Sequence, residues 1–170
     1  MSTKDSILLL SAVITPALIG YLLVEINNLK KRINSIPVNN NTEGNKLKLQ
    51  AIERLSLYTE RCGLNNLVAR TEIVGLSAAE LHHVLIETIK GEYEYNLSQQ
   101  IYINAEVWNA VTKMKDQNIY VINHIAANLP PGASAIDLSK LIIEYSMTPN
   151  ADLYKLVLEA LQYEAQKILR

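Results

Sequence analysis

The sequence predicts an all-α protein: an N-terminal transmembrane helix followed by a compact bundle of four or five helices. Three observations predict it. Ile7–Val24 is a run of 18 residues without a charged side chain. Beyond residue 45, apolar side chains recur three or four apart, the period of a helix, and no stretch alternates with the period of a strand. The breaks between periodic stretches carry residues that stop or start helices: Gly63, a Ser77–Glu80 pair, Asn104 and Pro130-Pro131-Gly132.

The first element is the anchor, within residues 1–33. Eighteen helical residues rise about 27 Å, close to the ~30 Å hydrocarbon thickness of a bilayer. Ser11 and Thr15 can return their hydroxyls to the helix backbone, and Pro16, which removes one donor, is tolerated in lipid better than in water. A cleaved signal peptide is disfavoured because Glu25-Ile26-Asn27-Asn28-Leu29 offers no small-x-small site. A buried core helix is disfavoured because no polar positions recur at helical spacing. Lys30, Lys31 and Arg32 follow the run, whereas only Lys4 and the α-amino group precede it. The cationic side stays in the cytoplasm. The expected setting is the inner (cytoplasmic) membrane, crossed once, with residues 30–170 inside.

Residues 34–45 hold Pro37, Gly44 and five asparagines with no apolar period, which predicts a flexible linker. Residues 46–170 form the helical domain. Leu49, Ile52, Leu55 and Tyr58 or Thr59 predict a helix over 46–61, with Gly63 as a left-handed cap. Asn65 to Ala69 forms a further short turn or helix. Ser77-Ala78-Ala79-Glu80 is a capping box opening a helix to about Tyr102. One stripe on it is Leu81, Val84, Leu85 and Thr88; another is Ile86, Ile89, Tyr93 and Leu97. Gly91, mid-helix, marks a kink or a close helix contact. Asn104 opens a helix with Val107, Val111, Met114, Val121, Ile122 and Ile125 on one face. A shorter helix over 135–145 turns Leu138, Leu141 and Ile142 inward. The last, over 151–169, turns in Leu153, Leu156, Val157, Ala160, Leu161 and Ile168. No repeat of 30–50 residues is visible.

Charge limits the partners. Residues 46–170 carry twelve basic and fourteen acidic side chains. That is no excess with which to neutralise phosphates, so no nucleic acid is expected. Cys62 is the only cysteine and forms no intramolecular disulfide. No complete catalytic set is visible, and no cofactor or metal is expected. Glu80-Leu81-His82-His83 has the E-x-x-H spacing of di-metal bundles. That chemistry needs a second such motif, and the residue three before His124 is Val121. No G-x-S-x-G, G-x-G-x-x-G or P-loop occurs.

Glu92 to Ile103 is the most unusual stretch. On an α-helix Tyr95, Gln99 and Tyr102 share a face, with Leu97 and Ile101 opposite. Such a helix must be covered on two sides, either in the core or at a partner surface of Tyr95, Gln99, Tyr102 and the nearby Trp108. Tyrosine suits the second role, giving large contact area at low entropic cost.

The run Asn65-Asn66-Leu67-Val68-Ala69-Arg70, the run Glu92 to Tyr102 and Trp108 resemble a family of uncharacterised bacterial proteins of the Bacteroidota. These share a membrane span, a short linker and a helical domain of unknown function. The resemblance covers residues 5–130. It implies an inner-membrane setting and assigns no activity or site. The leading expectation is a membrane-anchored, non-enzymatic module that binds a protein partner or itself. Its rivals are a metal- or ligand-binding bundle using Glu80, His83 and Glu87, with possible enzymatic activity, and a structural subunit of a larger membrane complex.

Overall fold

The first helix described along its length begins at Thr42, inside the expected linker, and runs to Cys62 (α1). Glu43 in its first turn complements the positive end of the helix dipole. The computed structural model describes Val24, Asn28 and residues 42–148 and 153–169. Residues 42–170 form one compact unit. The anchor reading of residues 7–24 lies outside the described residues except for Val24, as does most of the linker. Among the described residues no helix is long and apolar enough to cross a membrane.

After α1 come α2 (Leu64–Ala69), α3 (Ala78–Asn96), a 3₁₀ helix (Leu97–Ile101), α4 (Ala105–Ala127), α5 (Ala135–Ser146) and α6 (Tyr154–Leu169). No strand occurs among the described residues. The all-α expectation holds, with six α-helices there.

Two apolar layers make the core. Leu64, Leu67, Leu81, Leu85, Ile89, Ile122, Leu138 and Ile142 fill the first, between α2, α3, α4 and α5. Ile52, Leu55, Tyr58, Val107, Val111, Met114, Val157 and Leu161 fill the second, between α1, α4 and α6. Fully burying each such aliphatic side chain stabilises by about 2 kcal/mol. The stripe on α4 spans both layers, and where it passes between them Asn118 stands fully buried. Its Nδ2 donates to the carbonyl of Cys62 at 2.8 Å, satisfying an acceptor at the C-terminal end of α1. Leu141 (40% exposed) and Leu156 (59%) face outward, contrary to expectation. Each helix has more apolar side chains than its inward stripe accommodates.

Gly63 is not a left-handed cap. Its φ is −55°, and its carbonyl accepts from Leu67 to open α2. A Cβ there would stand 3.2 Å from Tyr154 Cγ, so any other residue requires the Tyr154 ring to shift by a few tenths of an ångström. Among the described residues the left-handed glycines are Gly75 (φ 78°) and Gly132 (φ 83°). Each lies two residues before a capping serine, Ser77 or Ser134. The two loops pair as an antiparallel bridge, with Ala78 N donating to Ala133 O at 3.1 Å and Ala135 N to Leu76 O at 3.3 Å. Gly75-Leu76-Ser77-Ala78-Ala79-Glu80-Leu81 thus recurs as Gly132-Ala133-Ser134-Ala135-Ile136-Asp137-Leu138, 57 residues on. That separation is longer than the repeats of common solenoids.

Candidate functional site

The groove between α1 and α3 gathers the described groups best suited to recognition. On α1, Arg54, Tyr58 and Arg61 recur three or four apart and share a face. On α3, Thr88, Gly91, Glu92 and Tyr95 do the same. Two adjoining concavities lie between these stripes. One, of about 480 Å³, is lined by Arg61, Glu87, Thr88, Gly91, Glu92 and Tyr95. The other, of about 160 Å³, has Tyr58 and Asn96 in its wall, beside Arg54 and Leu57.

Guanidinium groups dominate the electrostatics. The Arg61 guanidinium grips Glu92 Oε1 with NH2 at 2.6 Å and Nε at 2.8 Å. The Arg70 NH2 approaches the same oxygen at 3.5 Å, and its Nε donates to the Arg61 carbonyl. Arg54 pairs with no carboxylate among the described residues. It donates to the Tyr95 carbonyl at 3.1 Å and its Cζ lies 4.8 Å from the Tyr95 ring centre. This cation–π contact leaves the phenol 75% exposed and contributes about 0.5–1 kcal/mol at such a site. Glu87, on the far rim, is paired with Lys90 at 3.1 Å.

The four residues singled out in the sequence do not share one face. The α-helix ends at Asn96, whose Nδ2 folds back onto the Glu92 carbonyl at 2.8 Å. The chain then tightens to 3₁₀ geometry, which turns about 120° per residue instead of 100°. That rotation buries Gln99 (7% exposed) while Tyr95 stays outside, Tyr102 lies at 36%, and Leu97 and Ile101 are exposed. Trp108 is half-buried against Tyr93, with ring centres 5.4 Å apart. Tyr93 in turn packs on Tyr58 at 6.2 Å and lies under Lys115 Nζ at 4.5 Å. Thr112 donates to the Trp108 carbonyl at 3.1 Å, so the Tyr93 hydroxyl donates to Thr112 at 3.0 Å. Trp108 is therefore tied into the second core layer.

Gly91 marks no close helix contact: nothing lies within 4 Å of where its Cβ would stand, and α3 runs unbroken through it. Arg54 and Arg61 went unmarked in the sequence because α1 offers many exposed charges. Only their placement across from Tyr95 and Glu92 distinguishes them.

The other reactive groups are engaged elsewhere. Glu80 closes the capping box, accepting from the Ser77 backbone N–H and hydroxyl at 2.8 Å each. His82 Nε2 donates to Asn123 Oδ1 at 2.7 Å, and beside it a shallow cavity of about 370 Å³ is walled by Ala78, Leu129 and Pro131. His83 is exposed, and His124 stacks on Tyr120 at 6.0 Å. Among the described residues no three His, Cys, Asp or Glu side chains stand close enough to hold a metal ion. Cys62 is fully buried, and burial first, then the charge of Glu92, pushes its thiol up to about 12. It stays protonated and is no nucleophile.

An all-α bundle with an open groove lined by arginine, glutamate and tyrosine defines a class of helical domain without a recognisable catalytic centre among the described residues. The chain matches, over residues 4–168, the model of a Family of unknown function (DUF7935), and it belongs to that family. No curated protein and no solved structure matches it.

Proposed function

We propose that this chain is a membrane-anchored, non-enzymatic interaction module. Its helical domain faces the cytoplasm of a bacterial cell and binds a protein partner through the α1–α3 groove around Tyr95. The anchor rests on the 18 uncharged residues Ile7–Val24, and the orientation on Lys30, Lys31 and Arg32 behind them. The observation that carries the binding role is Tyr95, a large, mostly exposed ring that lies against the Arg54 guanidinium. An exposed tyrosine beside arginine is the composition of interface hot spots.

Co-purification from native membranes tests it. Tyr95→Ala removes an exposed ring, so the domain stays folded, with a stability change of about 0.5 kcal/mol or less, and the partner is lost. Trp108→Ala removes a core-edge ring and costs about 3 kcal/mol. A partner retained at full yield by folded Tyr95→Ala protein would overturn the reading. For orientation, a reporter active only outside the cytoplasm, fused after Arg170, is expected to be silent.

A further inference from the structure

The first amides of α3 and α5 have no carbonyl partner within their own helices, as at any helix start. The capping serines take the third helical amide of each: Ser77 Oγ accepts from Glu80 N and Ser134 Oγ from Asp137 N, both at 3.3 Å. The Glu80 and Asp137 carboxylates reach back to the serine amides at 2.8 and 2.9 Å. The first helical amide of each goes to the other loop. Ala78 N donates to the carbonyl of Ala133, the residue just before the Ser134 cap. Ala135 N donates to the carbonyl of Leu76, just before the Ser77 cap. Each helix therefore completes the start of the other.

That exchange ties the two recurring heptapeptides into one device. Loss of the Ser77 cap loosens the chain at Leu76 and Ala78, and with it the acceptor of Ala135 N and the donor to Ala133. Little else holds these segments. The bonds of both capping boxes are exposed, and of residues 75–80 and 132–137 Ala135 alone is buried. Leu81 and Leu138, which follow directly, are fully buried in the first core layer. Segments with exposed backbone bonds and few buried contacts open at the least cost in free energy. The opening is therefore bounded, from Gly75 and Gly132 at one end to Leu81 and Leu138 at the other. Ala78 and Ala133 also line the cavity beside His82, so the closed state sets that cavity's shape.

We infer that the starts of α3 and α5 form a single latch, two helix caps that open and close together while the rest of the domain stays folded. Amide hydrogen exchange of the full chain in neutral detergent, resolved by residue and followed in rising sub-denaturing urea, tests it. The amides of Ala78, Glu80, Ala135 and Asp137 share one opening free energy and one weak urea dependence. The amide of Ile122, in the core of α4, opens only by global unfolding, with a higher free energy and a steeper dependence. Ser77→Ala deprives the Glu80 amide of its acceptor. It also speeds exchange about fivefold at Ala78 and, across the bridge, at Ala135 and Asp137. Ser134→Ala has the reciprocal effect, at Ala135 and across the bridge at Ala78 and Glu80.

Different opening free energies for the two loops, or Ala135 and Asp137 amides that do not respond to Ser77→Ala, would mean two independent caps and would falsify the latch. Four amides that follow Ile122 at every urea concentration would overturn it as well, because the loops would then open only when the whole domain unfolds.

Discussion

Cys62 shows how position overrides chemistry. The side chain is fully buried at the end of α1, and its ionisation would leave a charge in an apolar layer beside Tyr58. The thiol titrates normally near 9.0 and is raised to about 12 by burial. A folded-state value above the unfolded one means the stabilising contribution is complete below pH 9.0. It is then lost as pH rises from there toward 12. Cys62 in the native protein is therefore expected to resist a thiol reagent at pH 8 and to react once urea unfolds the chain. Fast labelling of the folded protein would contradict the burial. Tyr58 is shifted upward in the same way, by burial first and then by Cys62.

The paired loops govern the elements around them. Gly75 and Gly132 supply the left-handed turn, Ser77 and Ser134 supply the caps, and the bridge between the loops fixes where α3 and α5 start. Paired helix–loop–helix units commonly bind calcium, but these loops lack the run of carboxylates that calcium requires. Their role is to join elements. Ser77→Ala and Ser134→Ala are each expected to cost about 1 kcal/mol in urea unfolding. Both capping carboxyls are held below their ordinary values. For Glu80 the Ser77 backbone N–H is the larger cause and its hydroxyl the smaller; for Asp137 the Ser134 hydroxyl leads and its N–H follows. Depressed values stabilise above the unfolded-state values of 4.5 and 3.8, and the contribution is lost as pH falls through the folded ones. The melting temperature should fall on acidification below that range, and less steeply in Glu80→Gln/Asp137→Asn protein, whose amides keep the shape without the charge.

Across the whole domain, α4 is the element both core layers share, and Asn118 is the joint. Replacing it with alanine leaves the Cys62 carbonyl unsatisfied and opens a hole between the layers. The expected loss is about 2 kcal/mol, measured by urea denaturation. A loss below about 0.5 kcal/mol would mean that removing the buried, unpartnered Asn118 Oδ1 offsets the lost bond. Much of this architecture was readable residue by residue. Leu55 and Tyr58 on α1, Leu81 and Leu85 on α3, and Val107 to Ile122 on α4 are buried as their spacing required. The Ser77–Glu80 box formed as its four letters specify. Period and capping depend on neighbours within one or two turns, so a linear chain displays them. The inward turn of Gln99, the outward Leu141 and Leu156, the loop pairing and the polar joint at Asn118 were not readable. Nor was the approach of Arg54 to Tyr95, 41 residues apart. Sequence alone determined the all-helical class, most of the core stripes and where α3, α4 and α5 begin. Tertiary structure alone decided which surplus apolar side chains face water and which distant charges meet, because those depend on how helices cross and how tightly each one ends.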